Sequence, residues 1–347
     1  MKAVKRLFFL LFVAPFLSCG DGPAPERAVY HWESVYDLGP EETGWLDRNG
    51  IGRIYLRLFD IDRDESLQAP VPVGNLQVAD TSTDIGLEVV PCFFITNRTF
   101  ENISETQTDS LAARILRKAG IKLHEQLGNP LVREWQFDCD WTEGTREAYF
   151  RFLRLMGQAL KKEGIQLSAT IRLHQVKYFG KTGVPPVDRG MLMFYNMGDV
   201  EDPETRNSIL DMAAARQYYS NFGDYPLPLD LALPAFRWGV VFREGKMVRL
   251  INGLAPEDLG DGSRFAFRDA THVEVVKSTY LDGYYLYGGD EIRLEWASGG
   301  QLREAAGDLV KIMAKGRRWV CFFQLAPEMI KQYSDEEWEG IWDSMER

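Results

Sequence analysis

Eight short runs of apolar and β-branched residues recur along this 347-residue chain, and segments with helical spacing separate most of them. That alternation narrows the fold more than any other feature, because a strand followed by a helix, repeated, builds a parallel sheet. The runs lie at 28–34, 52–62, 86–97, within 134–145, and at 166–175, 189–198, 227–238 and 317–327. Between the third and fourth, a helix is expected from Asp109, its cap, to Leu127. Leu111, Ile115 and Leu116 share one of its faces, and Gly128-Asn129-Pro130 stops it. After the fourth run, Tyr149, Phe152, Leu153, Met156 and Leu160 repeat at helical spacing behind Thr145 as N-cap. Two more helices are expected near 300–314 and from about 335.

Eight strands alternating with helices over about 320 residues define a (β/α)8 TIM barrel, an α/β fold whose functional groups gather at the C-terminal strand ends. A doubly wound open sheet is the alternative, but no glycine-rich phosphate loop follows the first strand. Residues 239–297, between strands seven and eight, read as a small β-rich insertion. There GVVFREGKMVRLI has the pattern of one hairpin and YYLYGGDEIRLEW that of another pair. The expected organisation is one barrel domain over 28–347.

Ahead of it, residues 1–19 carry Lys2, Lys5 and Arg6, an apolar run from Leu7 to Leu17, then Ser18-Cys19. This is the form of an export signal, and its ending resembles a bacterial lipoprotein signal with Cys19 as the acylated residue. Residues 20–27, GDGPAPER, read as a tether. The location expected is the bacterial cell envelope, with the membrane met only through the lipid anchor. A formal net charge of -11 and no dense Lys/Arg run argue against nucleic acid and against an anionic bilayer surface as partners. Cys92, Cys139 and Cys321 sit in apolar runs and are expected as buried free thiols.

Strand four carries the densest chemistry. Side chains alternate along a strand, so Gln136, Asp138 and Asp140 share the inward face while Phe137, Cys139 and Trp141 take the other. Two close carboxylates resist ionising together, and such a pair can position and polarise a third acid. The alternative is a structural network in which Arg57 or Arg172 neutralises them. From the other strand ends, His31, Trp32, Glu33, Asp60, His174, Gln175, Asn196, Arg237, Trp238 and Gln324 join Gln136 as candidate ligand-binding residues. Trp32, Trp141, Trp238 and Trp296 offer flat apolar faces suited to the CH faces of sugar rings. His31 and His174 with the aspartates have zinc or manganese chemistry. No H-x-H or H-E-x-x-H spacing occurs, however, and neither metal nor cofactor is expected.

Several of these motifs together resemble the family 18 glycoside hydrolases, the chitinase group. FDCDW at 137–141 is similar to the D-x-D-W core of that family's fourth strand, and Met193-Phe194-Tyr195-Asn196 to its sixth-strand M-x-Y-D. Leu233-Pro234-Ala235-Phe236-Arg237 echoes its seventh-strand segment, and 239–297 its insertion. The resemblance implies Asp138 and Asp140 as the tuning pair, Tyr195 as the residue orienting the intermediate, and a strand-four glutamate that protonates the leaving oxygen while the substrate's acetamido group attacks. The chain departs from that pattern: Trp135 stands at the first aspartate, Thr142 at the acid, Glu143 one residue late, and Asn196 where the family has aspartate. A β-bulge would be needed to turn Glu143 into the cleft. An uncharacterised bacterial branch that keeps D-x-D without the standard acid fits these departures. Two functions follow: an anchored barrel that recognises glycan without catalysis, placed first, and a glycosidase on N-acetylated glycans with Glu143 as acid.

Overall fold

The computed structural model describes residues 24–79, 86–314 and 316–345. The signal, Cys19 and most of the tether fall outside these. Eight parallel strands close into a barrel: β1 (Glu26–His31), β2 (Arg53–Asp64), β3 (Glu88–Ile95), β4 (Glu134–Asp138), β5 (Gln166–Arg172), β6 (Arg189–Met193), β7 (Leu229–Pro234) and β8 (Trp319–Phe323). Strand β1 pairs in parallel with both β2 and β8, which closes the ring. Every expected strand is present. Several end earlier than their apolar runs: Leu173 and Val176 continue the run of β5, but they are spaced as on a helix and are buried in α4 (Leu173–Lys177). At the other end, β1 begins inside the span read as tether.

The principal flanking helices are α1 (Pro40–Arg48), α2 (Glu105–Glu125), α3 (Arg146–Lys162), α5 (Gly299–Ile312) and α6 (Asp335–Met345), with α4 falling between α3 and α5 in the chain. Helix α2 is capped by Ser104 rather than Asp109. The Ser104 hydroxyl accepts the Gln107 amide and the Gln107 side chain accepts the Ser104 amide, satisfying two amides that a helix start leaves unpaired. Asp109 is instead an exposed helix residue paired with Arg151 of α3 at 2.9 Å. No helix among the described residues is long and apolar enough to cross a membrane.

Alternation along each strand sorts the barrel into two cores. Val29, Ile54, Phe93, Phe137 and Leu231 face outward under the helices, where Phe137 meets Phe152 of α3 edge-on at 5.0 Å. Tyr30, Tyr55, Val90, Cys92, Met191, Met193 and Cys321 fill the barrel interior. Cys92, Cys139 and Cys321 are buried free thiols, as expected. The floor, at the strand N-termini, is a layer of charge: Arg53 donates to Glu134 at 2.7 Å and to Glu88 at 2.5 Å and stacks over Trp319 at 3.9 Å, while Arg189 grips Asp230 with two hydrogen bonds. Such a layer offsets the desolvation of its ions through the hydrogen bonds between them.

The insertion runs from Arg237 to Trp296, within two residues of its expected bounds. Arg237–Arg243 and Lys246–Asn252 form the first expected hairpin. Glu244 and Gly245, at φ 50° and 73°, supply the left-handed pair that a tight hairpin turn requires. The second expected pair divides between two sheets. Tyr284–Leu286 pairs with Thr279–Leu281, while Glu291–Trp296 joins the five-stranded antiparallel sheet beside Arg237–Arg243. The glycines at 288–289 break the run, which sends its halves to different partners.

Candidate functional site

At the C-terminal mouth, β4 delivers Asp138 and Asp140 on the inward side, as alternation requires. Asp138 is buried, accepts the Thr170 hydroxyl of β5 at 2.6 Å and lies 3.9 Å from Arg172. Asp140 stands higher, with 56% of its side chain exposed, and Arg172 holds it with two hydrogen bonds of 2.6 and 3.2 Å. Of the two arginines that could neutralise this pair, Arg172 does so. Arg57 is engaged elsewhere, holding Asp60 through Nε at 2.7 Å and reaching the Trp32 carbonyl at 3.1 Å. Burial raises the Asp138 carboxyl above its usual range, Arg172 opposes the rise and Asp140 adds to it. Burial works against the Arg172 guanidinium, but the two aspartates outweigh it and hold its pKa above the ordinary value.

Two cavities open side by side here and share Asn196. One, of 270 Å³, is lined by Asp140, Arg172, His174, Tyr195 and Tyr218. The other, of 430 Å³, is lined by the rings of Trp32, Phe236, Trp238 and Phe323, with Glu33, Arg237, Gln324 and Glu328 around them. The rings form one cluster: Phe323 lies 5.6 Å from Trp32, 5.3 Å from Tyr195 and 5.8 Å from Phe236, and Phe236 lies 5.1 Å from Trp238. The Tyr195 hydroxyl, raised in pKa by burial, donates to the Met193 sulfur, a weak acceptor. Asn196 sits at φ 55°, a left-handed conformation that asparagine tolerates. The Trp238 indole is fixed by its N–H bond to Glu295 of the insertion at 2.8 Å, so the insertion braces one wall of the larger cavity.

The structure thus brings together at the mouth Trp32, Glu33, Asp138, Asp140, His174, Tyr195, Asn196, Arg237, Trp238 and Gln324. Five other candidates lie elsewhere. Gln136 is one layer down, fully buried, accepting the Tyr30 hydroxyl at 2.6 Å and donating to Ser168 at 3.3 Å. Gln175 is buried in α4 and accepts the Arg172 amide at 2.8 Å. Asp60 is buried in its pair with Arg57. His31 faces outward, because Tyr30 and Trp32 on either side of it face in; it is 3% exposed and packs edge-on to Tyr36 at 5.1 Å. Glu143 lies in a turn over residues 142–145, exposed at 142–144 and closed by the Thr145 amide on the Thr142 carbonyl at 3.2 Å. The pairings of β4 with its neighbours carry no bulge that would re-aim it. That turn is pinned by Thr145, whose hydroxyl accepts the Thr142 amide and donates to Asn97 of the β3 loop at 2.5 Å rather than capping the α3 amides. Trp141 and Trp296 also stand apart from the cavities, Trp141 buried under the helices and Trp296 packed on the insertion core.

Site residues missed at the sequence level are Phe236, Phe323, Tyr218 and Glu328, which line the cavities. A polar and aromatic strand end was the available signal for Phe323, which precedes Gln324.

Burial lowers the His31 pKa from 6.5 to about 4. The folded value lies below the unfolded one, so the unfolded chain takes up the proton first as pH falls. The resulting loss of stability starts near pH 6.5, grows to about pH 4, and reaches about 3 kcal/mol. Urea midpoints of His31→Gln and wild type across pH 4–7 are expected to differ in slope by nearly one proton, with wild type the steeper.

No protein-family model matches the sequence, and no curated protein matches it. Solved structures do resemble the fold. The spore cortex-lytic enzyme SleL of Bacillus megaterium superposes with a TM-score of 0.58 at 14% identity, covering 93% of this chain and 74% of that one. A class V chitinase from Pseudomonas fluorescens gives 0.57 at 13% identity, covering 93% and 100%. A chitinase from Chromobacterium violaceum gives 0.54 at 12% identity, covering 93% and 99%. The architecture is that of a chitinase-like TIM barrel. At these identities the likeness is one of fold, and the side chains in the mouth carry the functional argument.

Proposed function

We propose that this protein is an envelope-anchored, chitinase-like barrel that binds a glycan in its mouth without hydrolysing it. The ring cluster of Trp32, Tyr195, Phe236, Trp238 and Phe323 carries the reading, since it offers apolar faces beside Asn196, Arg237 and Gln324 as hydrogen-bonding groups. Amphipathic rings next to fixed polar groups suit the apolar CH faces and the hydroxyls of a sugar ring. Catalysis is argued against by Thr142 at the acid position, by Glu143 in an exposed turn, and by the arginine on Asp140. A carboxylate already held by a guanidinium is a poor partner for sharing a proton with a neighbouring acid.

Strand direction supports the anchored orientation. Glu26 opens β1 on the floor, opposite the mouth, and stands seven positions after Cys19 in the chain. An acylated Cys19 would hold the floor within roughly 25 Å of the bilayer and leave the mouth facing away. Hydrolysis by Glu143 is the second reading, favoured by Asp138 and Asp140 at the end of β4 and Tyr195 at the end of β6, all on the mouth side of the barrel.

Calorimetric titration of the full-length protein with an N-acetylglucosamine hexamer is expected to give saturable binding, weakened about tenfold or more by Trp32→Ala. Absence of binding to this and to other oligosaccharides, charged or neutral, would defeat the proposal.

A further inference from the structure

The carboxylates around the mouth fall into two groups. Asp60, Asp62, Asp138 and Asp140 are each held by an arginine: Arg57, Arg98 and, for the last two, Arg172. Glu33 and Glu328, which line the larger cavity, have no cationic partner among the described residues. Glu328 and Glu42 repel the Glu33 carboxylate and, with partial burial as the larger effect, raise its pKa. The cation lining that cavity, Arg237, directs its Nε to the Gly253 carbonyl at 2.9 Å.

The cavity therefore presents aromatic faces for a sugar ring and, around them, uncompensated acceptors. Resting on the glycan reading above, we propose that its ligand is an amino-sugar glycan with free ammonium groups, such as a de-N-acetylated oligomer. Glu33 and Glu328 are the residues that select it. An ammonium entering between them relieves like-charge repulsion and supplies N–H donors, neither of which an acetamido group does as well. A sugar carrying a carboxylate would add a third negative charge beside the two and is disfavoured.

The test compares glucosamine hexamer with N-acetylglucosamine hexamer on the full-length protein by calorimetry, in wild type and in the Glu33→Gln/Glu328→Gln variant. Both substitutions are at exposed positions, and an unfolding midpoint equal to that of wild type reports that the variant is folded. Wild type is expected to bind the glucosamine hexamer about tenfold tighter, with the preference shrinking as salt rises. The variant is expected to lose that preference, the ratio of its affinities for the two hexamers falling to about one. Equal or weaker binding of the glucosamine hexamer by wild type, or a preference that survives in the variant, overturns the inference and leaves the glycan reading standing. Binding of neither hexamer overturns both.

Discussion

Arg53→Ala is expected to cost about 3–5 kcal/mol of folding stability, the largest effect of any single substitution considered. Glu134 is 1% exposed and Glu88 is 8% exposed, and Arg53 is the cation hydrogen-bonded to both. Removing it leaves two carboxylates desolvated on the barrel floor, and burial alone already raises Glu134 above the usual carboxylate range. Glu134→Gln in the Arg53→Ala background should recover part of the loss, since it removes one stranded charge. Urea denaturation of the two variants measures this. If Arg53→Ala unfolds within about 1 kcal/mol of wild type, the floor network has no such role.

The second large effect belongs to Arg172, and it turns on which aspartate matters. Its shorter contacts are to Asp140, but that carboxylate is 56% exposed, and an exposed pair contributes about 1 kcal/mol or less. Asp138 lies farther from the guanidinium, at 3.9 Å, but its side chain is 8% exposed, so its charge has little water to fall back on. Arg172→Ala is therefore expected to cost about 3 kcal/mol, and Asp140→Asn under about 1 kcal/mol. Equal losses in the two variants would place the main interaction at Asp140 instead.

Much of this barrel can be read from the chain because its strands are buried on both faces. Runs such as RIYLRLFDID and EVVPCFFI are therefore continuous, and the helices between them have clear spacing and stops. Strand ends were harder, since an apolar run continues into α4 without a break. The second insertion pair divides because Tyr284–Leu286 pairs with the strand just before it, while Glu291–Trp296 pairs with strands farther back in the chain. Within the site, alternation placed Asp138 and Asp140 correctly, yet the same rule applied to β1 would have turned His31 outward. The Arg172 clamp and the floor network depend on which strands are neighbours and at what register. Arg53 and Glu134 are 81 residues apart, and nothing local in either segment marks them as partners.

The central claim is that the mouth recognises glycan but lacks a working acid. Incubating the full-length protein with N-acetylglucosamine and glucosamine hexamers, and resolving products by mass over a long time course, tests it most directly. The account predicts that the hexamers bind and remain intact, in wild type and in Glu143→Gln alike. Shorter oligomers produced by wild type and absent with Glu143→Gln would contradict it and establish Glu143 as the acid.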